Sequence, residues 1–547
     1  MPELNAGAGY VCDVRSHITI YFRDGSSVTL DSGSNNQNVI NNYCSSINIK
    51  ESLFKQSSNS IVGNITGNSC TLKLVSLNKE LVPQNIKSSH YNLMDDTAFI
   101  DISLDYKIKY IDDIDTTVSK DNISLGRWYV QSWEGGTDSN KSNEITIVAV
   151  DRLSKIKNIP LSRIKLQEKI NAKAYLIYIK DIINSKLPSP LKLDISNDNI
   201  DLFNNTNDYN LILNNIDRDT VEDMFNNIAE NTLTWIWVDR AGCLCTDWLL
   251  DEYSQEPVAV FDGSKNIFSY NSNVGSVSKY RGVQVEYITG ISYTSEKVLN
   301  ISGASFNANE NILSNITMNK DNVLTIDTIS VNNKDIEVEV LAWYKNSIDL
   351  VVRNESQYYS NIDIDVYGIV VNEHYSTVTA YLENNNTYTN TGNILKIRNR
   401  ILRRENIDDY VKGLIKILKC KSTMMSCTGP LDPSIKLDDC VAVIGSKLGV
   451  DDINNIPHKV TGINISLSSG GKYSATYDLM QVITDSRQAD DIIYSNMTVL
   501  YNACYNFIDP DRLKVLTSAE NDIVMEAYGD ALLDLYDACI GGVLNNE

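Results

Sequence analysis

The sequence lacks the long apolar run and the leader that would place a protein in or across a membrane. None of its windows approaches the ~18 apolar residues that a membrane-spanning helix needs. Its N-terminal residues contain no basic segment followed by an apolar one, which is the pattern of a secretory signal. We therefore expect a protein without a membrane anchor that does not use the secretory route.

Clustered cysteines and histidines are also missing. The ten cysteines are scattered, so we expect reduced and mostly buried thiols instead of a disulfide framework. Cys243 and Cys245 form the tightest pair, but zinc-binding cysteines are usually separated by about two to four residues, and strand alternation explains this spacing better. The four histidines lie far apart, without a His-Glu-x-x-His pattern. We expect no metal and no cofactor.

Positive charge is in deficit. Lys and Arg number 48 against 70 Asp and Glu, which gives a net charge of −22. Because proteins bind nucleic acid through Lys and Arg that displace phosphate counterions, specific nucleic-acid binding is not expected. The sequence also has no Gly-rich phosphate loop, no Gly-x-Ser-x-Gly nucleophile motif and no Asp-x-Asp-x-Asp-Gly calcium loop. These absences favour a non-enzymatic protein.

The composition favours strands in several folded domains. Hydrophobic residues make up 42% and charged residues 22%, as in globular proteins. Tyr is frequent, at 30 against 9 Phe, and this preference suits strands more than long helices. At roughly 100 to 200 residues per domain, the chain holds about three to five domains. We expect a β-dominated α+β protein.

The first predicted domain, residues 1–118, alternates apolar and polar residues with the period of a strand. A turn at Arg23–Ser26 separates two strands of a predicted hairpin, whose buried face holds Ile18, Ile20, Phe22, Val28 and Leu30. Shorter strands follow between Asn/Ser/Gly-rich runs, which is the spacing of a small sandwich or barrel.

Residues 119–275 are predicted to form an α+β domain. An apolar stripe from Ala172 to Ile183 indicates a helix that Pro188 ends. For a second helix we predict Asp219 as N-cap and Glu222 as its capping-box partner. Its predicted buried stripe is Val221, Met224, Phe225, Ile228 and Ala229.

A hairpin follows that helix directly. Trp235 and Trp237 lie on one strand face, with Ile236 and Val238 on the other. Asp239–Gly242 supplies the turn, because Gly can adopt positive φ.

Residues 276–395 are predicted to form a second β domain with acidic strand faces. Glu337 and Glu339 alternate with Ile336, Val338 and Val340, and Asp363 and Asp365 alternate with Ile362, Ile364 and Val366. One face of each strand should be buried and the other acidic.

Residues 396–485 are predicted to combine a helix with strands. The helix has Asn406 as its cap, and a short strand covers Leu437–Val443. A hairpin then places Thr461, Ile463, Ile465 and Leu467 on the same face as Tyr473, Ala475, Tyr477 and Leu479.

The last segment, residues 486–547, is predicted to contain one amphipathic helix over about 517–540. Thr517 and Glu520 form a capping-box pattern. The apolar face that we expect to dock on a partner or a neighbouring subunit holds Val524, Tyr528, Ala531, Leu532, Leu535 and Cys539. Packing against the chain's own core is the alternative.

Five stretches of this sequence, taken in their order, resemble a known family. They are Gly126–Glu134, Ile145–Leu153, Asp219–Gly242, Leu437–Val443 and Thr461–Leu479. The chain resembles the baseplate hub, or tail hub, proteins of tailed bacteriophages and related contractile injection systems. The resemblance covers about residues 120–285 and 395–480 and is weaker in the N-terminal domain.

The resemblance implies a structural virion protein, assembled in the host cytoplasm and located in the tail or baseplate. Such hubs are homotrimers whose subunits each contribute two tube-like antiparallel β-barrel or sandwich domains, so that three chains form a pseudo-sixfold ring. The ring would join the tail tube protein to a threefold spike or fibre, contact distal tail or baseplate proteins, and surround the DNA channel.

The acidic strand faces gain a possible role in such a ring. Glu337, Glu339, Asp363 and Asp365 are candidates to face the channel, where like charge would keep DNA phosphates from adhering. An ordinary solvated face is the alternative interpretation.

Two other functions remain open. A receptor-binding or carbohydrate-binding tail protein would also be rich in strands, Tyr and Asn, but the interleaved capped helices count against it. A tail-associated cell-wall hydrolase would show muralytic activity in a zymogram.

Overall fold

The computed structural model describes residues 9–31, 44–53, 65–75, 79–110, 117–135, 144–161, 172–200, 220–248, 257–262, 269–272, 280–354, 358–381, 393–403, 407–421, 424–444, 456–468 and 472–481. The helices in these ranges are α1 (Arg152–Ile156), α2 (Ala172–Lys186), α3 (Val221–Asn231) and α4 (Ile407–Lys421).

Strands dominate the described residues. The first twelve are β1 (Gly9–Tyr21), β2 (Ser27–Asp31), β3 (Cys44–Ser52), β4 (Ser69–Val75), β5 (Phe99–Tyr110), β6 (Thr117–Gly135), β7 (Glu144–Val150), β8 (Asp194–Ile200), β9 (Thr234–Val238), β10 (Cys243–Trp248), β11 (Ala259–Asp262) and β12 (Ser269–Ser272). The others are β13 (Tyr280–Phe306), β14 (Asn309–Thr317), β15 (Val323–Val331), β16 (Ile336–Trp343), β17 (Ser347–Asn354), β18 (Tyr359–Tyr381), β19 (Asn393–Arg403), β20 (Met424–Pro430), β21 (Cys440–Ile444), β22 (Ile456–Ser468) and β23 (Lys472–Gln481).

The largest sheet joins strands from distant parts of the chain. Its main path runs β12-β20-β23-β22-β3-β4-β7-β6-β5-β1-β2, and β21 adds β11 at the side of β22. The antiparallel β22–β3 pair, in which Gly462 lies opposite Ser52, connects the C-terminal strands to the N-terminal ones. The domain boundaries predicted from the sequence stay predictions, but this sheet combines strands from residues 9–150, 259–272 and 424–481.

The prediction of tube-like barrels is wrong as far as closure is concerned. Within the described ranges the path of the largest sheet ends at β2 and β12, and these two strands do not pair with each other. Alternation of apolar residues predicts which face of a strand is buried, but closure depends on strand tilt and stagger, which alternation does not encode. The sheet nevertheless buries one continuous core, which includes Ile18, Ile47, Ile147 and Ile465.

A second core lies between the helices and two small sheets. It contains the apolar faces of α2, α3 and α4, the β9–β10 hairpin, and the first part of the β13–β18 ladder, including Val283 and Val378. The predicted stripe of α3 is confirmed, since Val221, Met224, Phe225, Ile228 and Ala229 are all buried. The predicted helix over Ala172–Ile183 is also confirmed as α2.

The predicted cap of α3 is wrong by one residue. Thr220 is the N-cap, and its hydroxyl accepts a hydrogen bond from the Asp223 amide at 3.2 Å. The Asp223 carboxylate in turn accepts from the Thr220 amide at 3.0 Å. Thr220 and Asp223 have the same spacing as Asp219 and Glu222 but lie one residue later, so the capping box satisfies the amides of Thr220 and Asp223 instead. Asp219 lies outside the described residues.

The third core belongs to a two-sheet sandwich. One sheet has the order β14-β17-β16, and the other has the order β15-β18-β13-β19. Ile348, Leu350 and Val352 of the first sheet pack against Ile364 and Val366 of the second. Strands β13 and β18 run on from this sandwich into the second core, so one continuous ladder serves two hydrophobic cores.

Both predicted terminal hairpins are confirmed. Strand β1 pairs with β2 across the Arg23–Ser26 turn, with Ile18 opposite Leu30. Strand β22 pairs with β23, with Ile463 opposite Tyr477 and Ile465 opposite Ala475. The predicted strand at Leu437–Val443 begins later, as β21 at Cys440, because Leu437 and Asp438 form a turn.

Two further predictions concern residues outside the described ranges. These are Asn406 as a helix cap and the C-terminal helix with Val524, Tyr528, Ala531, Leu532 and Leu535. Among the described helices, none is long and apolar enough to cross a membrane.

Candidate functional site

Three of the stretches that carry the sequence resemblance meet around one small cavity. Gly126 lies at a bend in β6, Arg152 follows β7, and Asp239–Gly242 connects β9 to β10. The cavity has a volume of about 20 Å³. We call it the junction, and its lining residues include Glu51, Asn68, Trp128, Asp151 and Arg240.

Arg240 is the charged centre of the junction. Its guanidinium makes two parallel hydrogen bonds to Glu51 of β3, at 2.9 and 2.7 Å, and a third to the Pro433 carbonyl at 2.6 Å. The side chains of Arg240 and Glu51 are only 8% and 5% exposed. Burial alone would lower the pKa of Arg240, but the Glu51 carboxylate outweighs it and raises that pKa. The pair is therefore a desolvated, bidentate ion pair.

Arg152 donates hydrogen bonds to neutral oxygen atoms of three neighbouring segments. Its guanidinium donates to the Gly242 carbonyl at 3.1 Å, to the Tyr129 hydroxyl at 3.2 Å, and to the Lys192 carbonyl. The residue is buried. One side chain thus connects β6, the segment before β8, and the β9–β10 turn.

Gly242 is required by this packing. Its φ is +87°, which side-chain-bearing residues rarely adopt. A Cβ atom at this position would lie 2.8 Å from a guanidinium nitrogen of Arg152. The turn predicted from the sequence is confirmed, and its Gly also leaves space for the arginine.

Asp151 is a buried carboxyl at the rim of the junction. It accepts hydrogen bonds from the Ser154 amide at 2.7 Å, which caps α1, and from the Asn68 amide at 3.0 Å. Burial raises the pKa of Asp151 to about 6, against the lowering effect of these hydrogen bonds. This carboxyl should therefore change charge in mildly acidic solution.

The arrangement joins chain segments and leaves little space for a substrate. A cavity of about 20 Å³ holds roughly one water molecule. The buried thiols elsewhere are poor nucleophiles, because burial raises the pKa of Cys44 to about 12 and those of Cys427 and Cys440 to about 11. The described part of the chain contains no group of three His, Cys, Asp or Glu residues placed to hold a metal ion.

The predicted acidic residues do not form one cluster. Glu337 and Glu339 are exposed on β16, whereas Asp363 and Asp365 lie on β18 in the opposite sheet. Because the apolar partners of both sets point into the shared sandwich core, the two acidic pairs lie on opposite outer faces. Asp365 is paired with Lys297 at 2.7 Å, and Glu339 with Arg353 at 2.6 Å.

Sequence reasoning included Arg152 and Arg240 in its five stretches but gave neither a role. Their positions in the sequence carried a signal, because Arg152 directly follows an apolar strand and Arg240 lies in a tight turn. An arginine that is buried at such a position needs a partner for its guanidinium group. Glu51 could not be paired with Arg240 from the sequence, since 189 positions separate them.

No protein-family model matches the sequence, and no curated protein matches it. The structure is similar to those of phage tail proteins. The tail protein from Neisseria meningitidis MC58 has a TM-score of 0.44 and 10% identity, covering 86% of this chain and 98% of that one. The 43 kDa tail protein of prophage MuSo2 from Shewanella oneidensis has a TM-score of 0.41 and 11% identity, covering 85% and 98%.

A third similar structure belongs to a secretion system. The E. coli c3393 protein is described as a component of the type VI secretion system with structural similarity to the T4 bacteriophage tail proteins gp27 and gp5. Its TM-score is 0.33 at 7% identity, and the match covers 82% of this chain and 74% of that one.

Proposed function

We propose that this chain is a non-enzymatic structural protein of a phage tail or baseplate hub. The observation that carries the proposal is that the five hub-like stretches, spread over residues 126–479, meet in one scaffold. Three of them surround the junction, and the other two lie in β21 to β23 of the sheet to which Glu51 belongs. The order in sequence on which the resemblance rests therefore corresponds to proximity in space.

The proposed assembly is a homotrimeric ring around a DNA channel, between a sixfold tail tube and a threefold spike or fibre. The largest sheet supports this proposal because its described path ends in strands β2 and β12, whose outer edges pair with no other described strand. Open edges tend to pair with further strands, and a sheet that continues into the neighbouring subunit would cover them.

A substitution at Thr29 can test whether the open edge of β2 pairs with a neighbouring subunit. Phe22 donates to the Ser26 carbonyl across the first turn, and hydrogen bonding alternates along an antiparallel pair. The amide of Thr29, which lies opposite Thr19, therefore points away from β1 toward the open side of β2. Thr29→Pro would remove an outward donor without touching the β1–β2 hydrogen bonds.

The experiment combines mass photometry with negative-stain images of the purified protein. We expect trimers with a central lumen for the natural chain and for Thr29→Ala, and a larger monomer fraction for Thr29→Pro. Only monomers at micromolar concentration, with no ring in tail particles, would contradict the ring. Muralytic activity in a zymogram would instead support the hydrolase alternative.

We propose that one of the two acidic pairs faces the channel. Both cannot do so, because the pairs lie on opposite outer faces of the sandwich. Phage carrying Glu337→Lys with Glu339→Lys should be compared with phage carrying Asp363→Lys with Asp365→Lys. Slower DNA ejection for one pair identifies the face that lines the channel. Unchanged ejection for both, from intact particles, would show that both faces are ordinary solvated surfaces.

The C-terminal residues 517–547 are proposed to dock on a spike, fibre, tube or distal tail protein. Deleting them should leave a soluble ring that no longer co-purifies with one tail partner. Loss of solubility or folding would assign the face of Val524, Tyr528, Ala531, Leu532 and Leu535 to the chain's own core.

A further inference from the structure

A buried lysine with two carboxylate partners lies outside the lining of the junction. Lys459 of β22 is 0% exposed, and its ammonium contacts Asp247 of β10 and Asp438 of the turn before β21. The same ammonium nitrogen lies 5.2 Å from the centre of the Trp235 ring. Asp247 and Asp438 are 17% and 23% exposed.

The backbone holds these groups in place from separate sheets. Asp247 lies directly opposite Trp235 in the β9–β10 pair, so both side chains are on one face of that hairpin. Lys459 lies between Cys440 and Met480, in the middle strand of β21-β22-β23. The amide of Asp438 donates to the Val460 carbonyl at 2.9 Å, which fixes the turn beside the lysine.

We propose that Lys459 and Asp247 form an intramolecular amide cross-link. Its substrates are the two side chains themselves, and Asp438 is the acid and base that assists the reaction. Reacting groups held in contact have effective concentrations of roughly 10⁵ M or more, which compensates for the low intrinsic reactivity of an amine toward a carboxylic acid.

The reaction takes place between the uncharged forms of Lys459 and Asp247. One ammonium and two carboxylates meet in a site from which water is largely excluded, and Asp438 carries its negative charge both before and after the reaction. Transfer of a proton from Lys459 to Asp247 then gives an amine and a carboxylic acid. A neutral amide in their place removes two buried charges altogether.

The step is balanced without any further reagent. The Nζ lone pair of Lys459 attacks Cγ of Asp247 and forms the new C–N bond. The Asp438 carboxylate accepts a proton from Nζ and returns it to the departing hydroxyl of Asp247. The Cγ–O bond breaks, one water molecule leaves, and no atom changes oxidation state. Asp247 is assigned as the acyl donor because it lies in a regular strand, whereas the more exposed Asp438 can exchange protons with solvent.

The test is the intact mass of the denatured full-length protein. The natural chain should be lighter than its sequence requires by one water, and Lys459→Met, Asp247→Ala and Asp438→Ala should each have the full mass of their sequences. Asp247→Asn should form the same link with loss of ammonia. Lys297→Met is the matched control, because Lys297 contacts Asp365 at 2.7 Å but is 43% exposed, and this variant should keep the one-water deficit.

Peptide mapping locates the bond. Trypsin should release residues 241–265 joined to residues 448–472, with no cleavage after Lys459. The natural chain at its full sequence mass overturns the proposal, whether or not the variants fold. A link to the peptide that contains Asp438 would overturn the assignment of Asp247 as the acyl donor.

Discussion

Removing Arg240 should destabilise the protein more than removing any exposed arginine. Arg240→Ala deletes three hydrogen bonds of 2.9 Å or less and leaves the Glu51 carboxylate in a site where it is 5% exposed. Taking one partner from a buried ion pair costs roughly 3–5 kcal/mol, because the remaining charge is neither solvated nor paired.

Two companion variants separate charge from geometry. Arg240→Lys keeps the positive charge but cannot make the two parallel bonds to Glu51, so we expect an intermediate loss of stability. Glu51→Gln combined with Arg240→Met removes both charges and should recover a large part of the loss seen in Arg240→Ala. The matched control is Arg353→Ala, which breaks the exposed pair with Glu339 and should leave the unfolding midpoint unchanged.

The assay is urea unfolding followed by tryptophan fluorescence, since Trp128 lines the junction. The quantity compared is the midpoint of the transition that reports on the largest sheet, because a multidomain chain need not unfold in one step. If Arg240→Ala and Arg353→Ala shift this midpoint equally, the junction does not hold the scaffold together.

Three further predictions concern single residues. The raised pKa of Asp151 means that its contribution to stability is fully present below the ordinary value of 3.8 and is lost as pH rises through about 6. Asp151→Asn should therefore flatten the pH dependence of unfolding in that window, and an unchanged profile would contradict the burial argument. Phe225→Ala should lower the free energy of unfolding by roughly 3–5 kcal/mol, because its ring is fully buried in the second core. A change below ~1 kcal/mol in chemical denaturation would show that the α3 stripe is not part of that core. Gly242→Ala should destabilise the chain by about 1–2 kcal/mol because of the positive φ alone, and by more because Arg152 must move. Gly25→Ala is the control for the backbone effect by itself, because Gly25 has a similar φ but open space around its Cβ position.

The sequence predicted local elements well because periodicity reports directly on burial. The α3 stripe and the β22–β23 register follow from side chains that repeat every 3.6 or two residues. The cap was displaced by one residue because Asp219 with Glu222 and Thr220 with Asp223 have equivalent spacing. Long-range pairing was not accessible, since nothing in the residues around Ser52 indicates that Gly462 lies opposite it. For the same reason the Arg240–Glu51 pair and the Lys459–Asp247 contact emerged only from the structure.

The interleaving of early and late strands has a consequence for synthesis. Strand β3 lies between β4 and β22, so one edge of β3 cannot be paired until β22 has been made, roughly 400 residues after β3. At about 5–20 residues per second, this interval lasts about 20–80 s. During that time the unpaired backbone N–H and C=O groups along one edge of β3 stay exposed on the ribosome, where chaperones or neighbouring nascent chains can reach them. We therefore expect translation speed and temperature to change the yield of folded protein during expression. They should have a smaller effect on the stability of the finished protein.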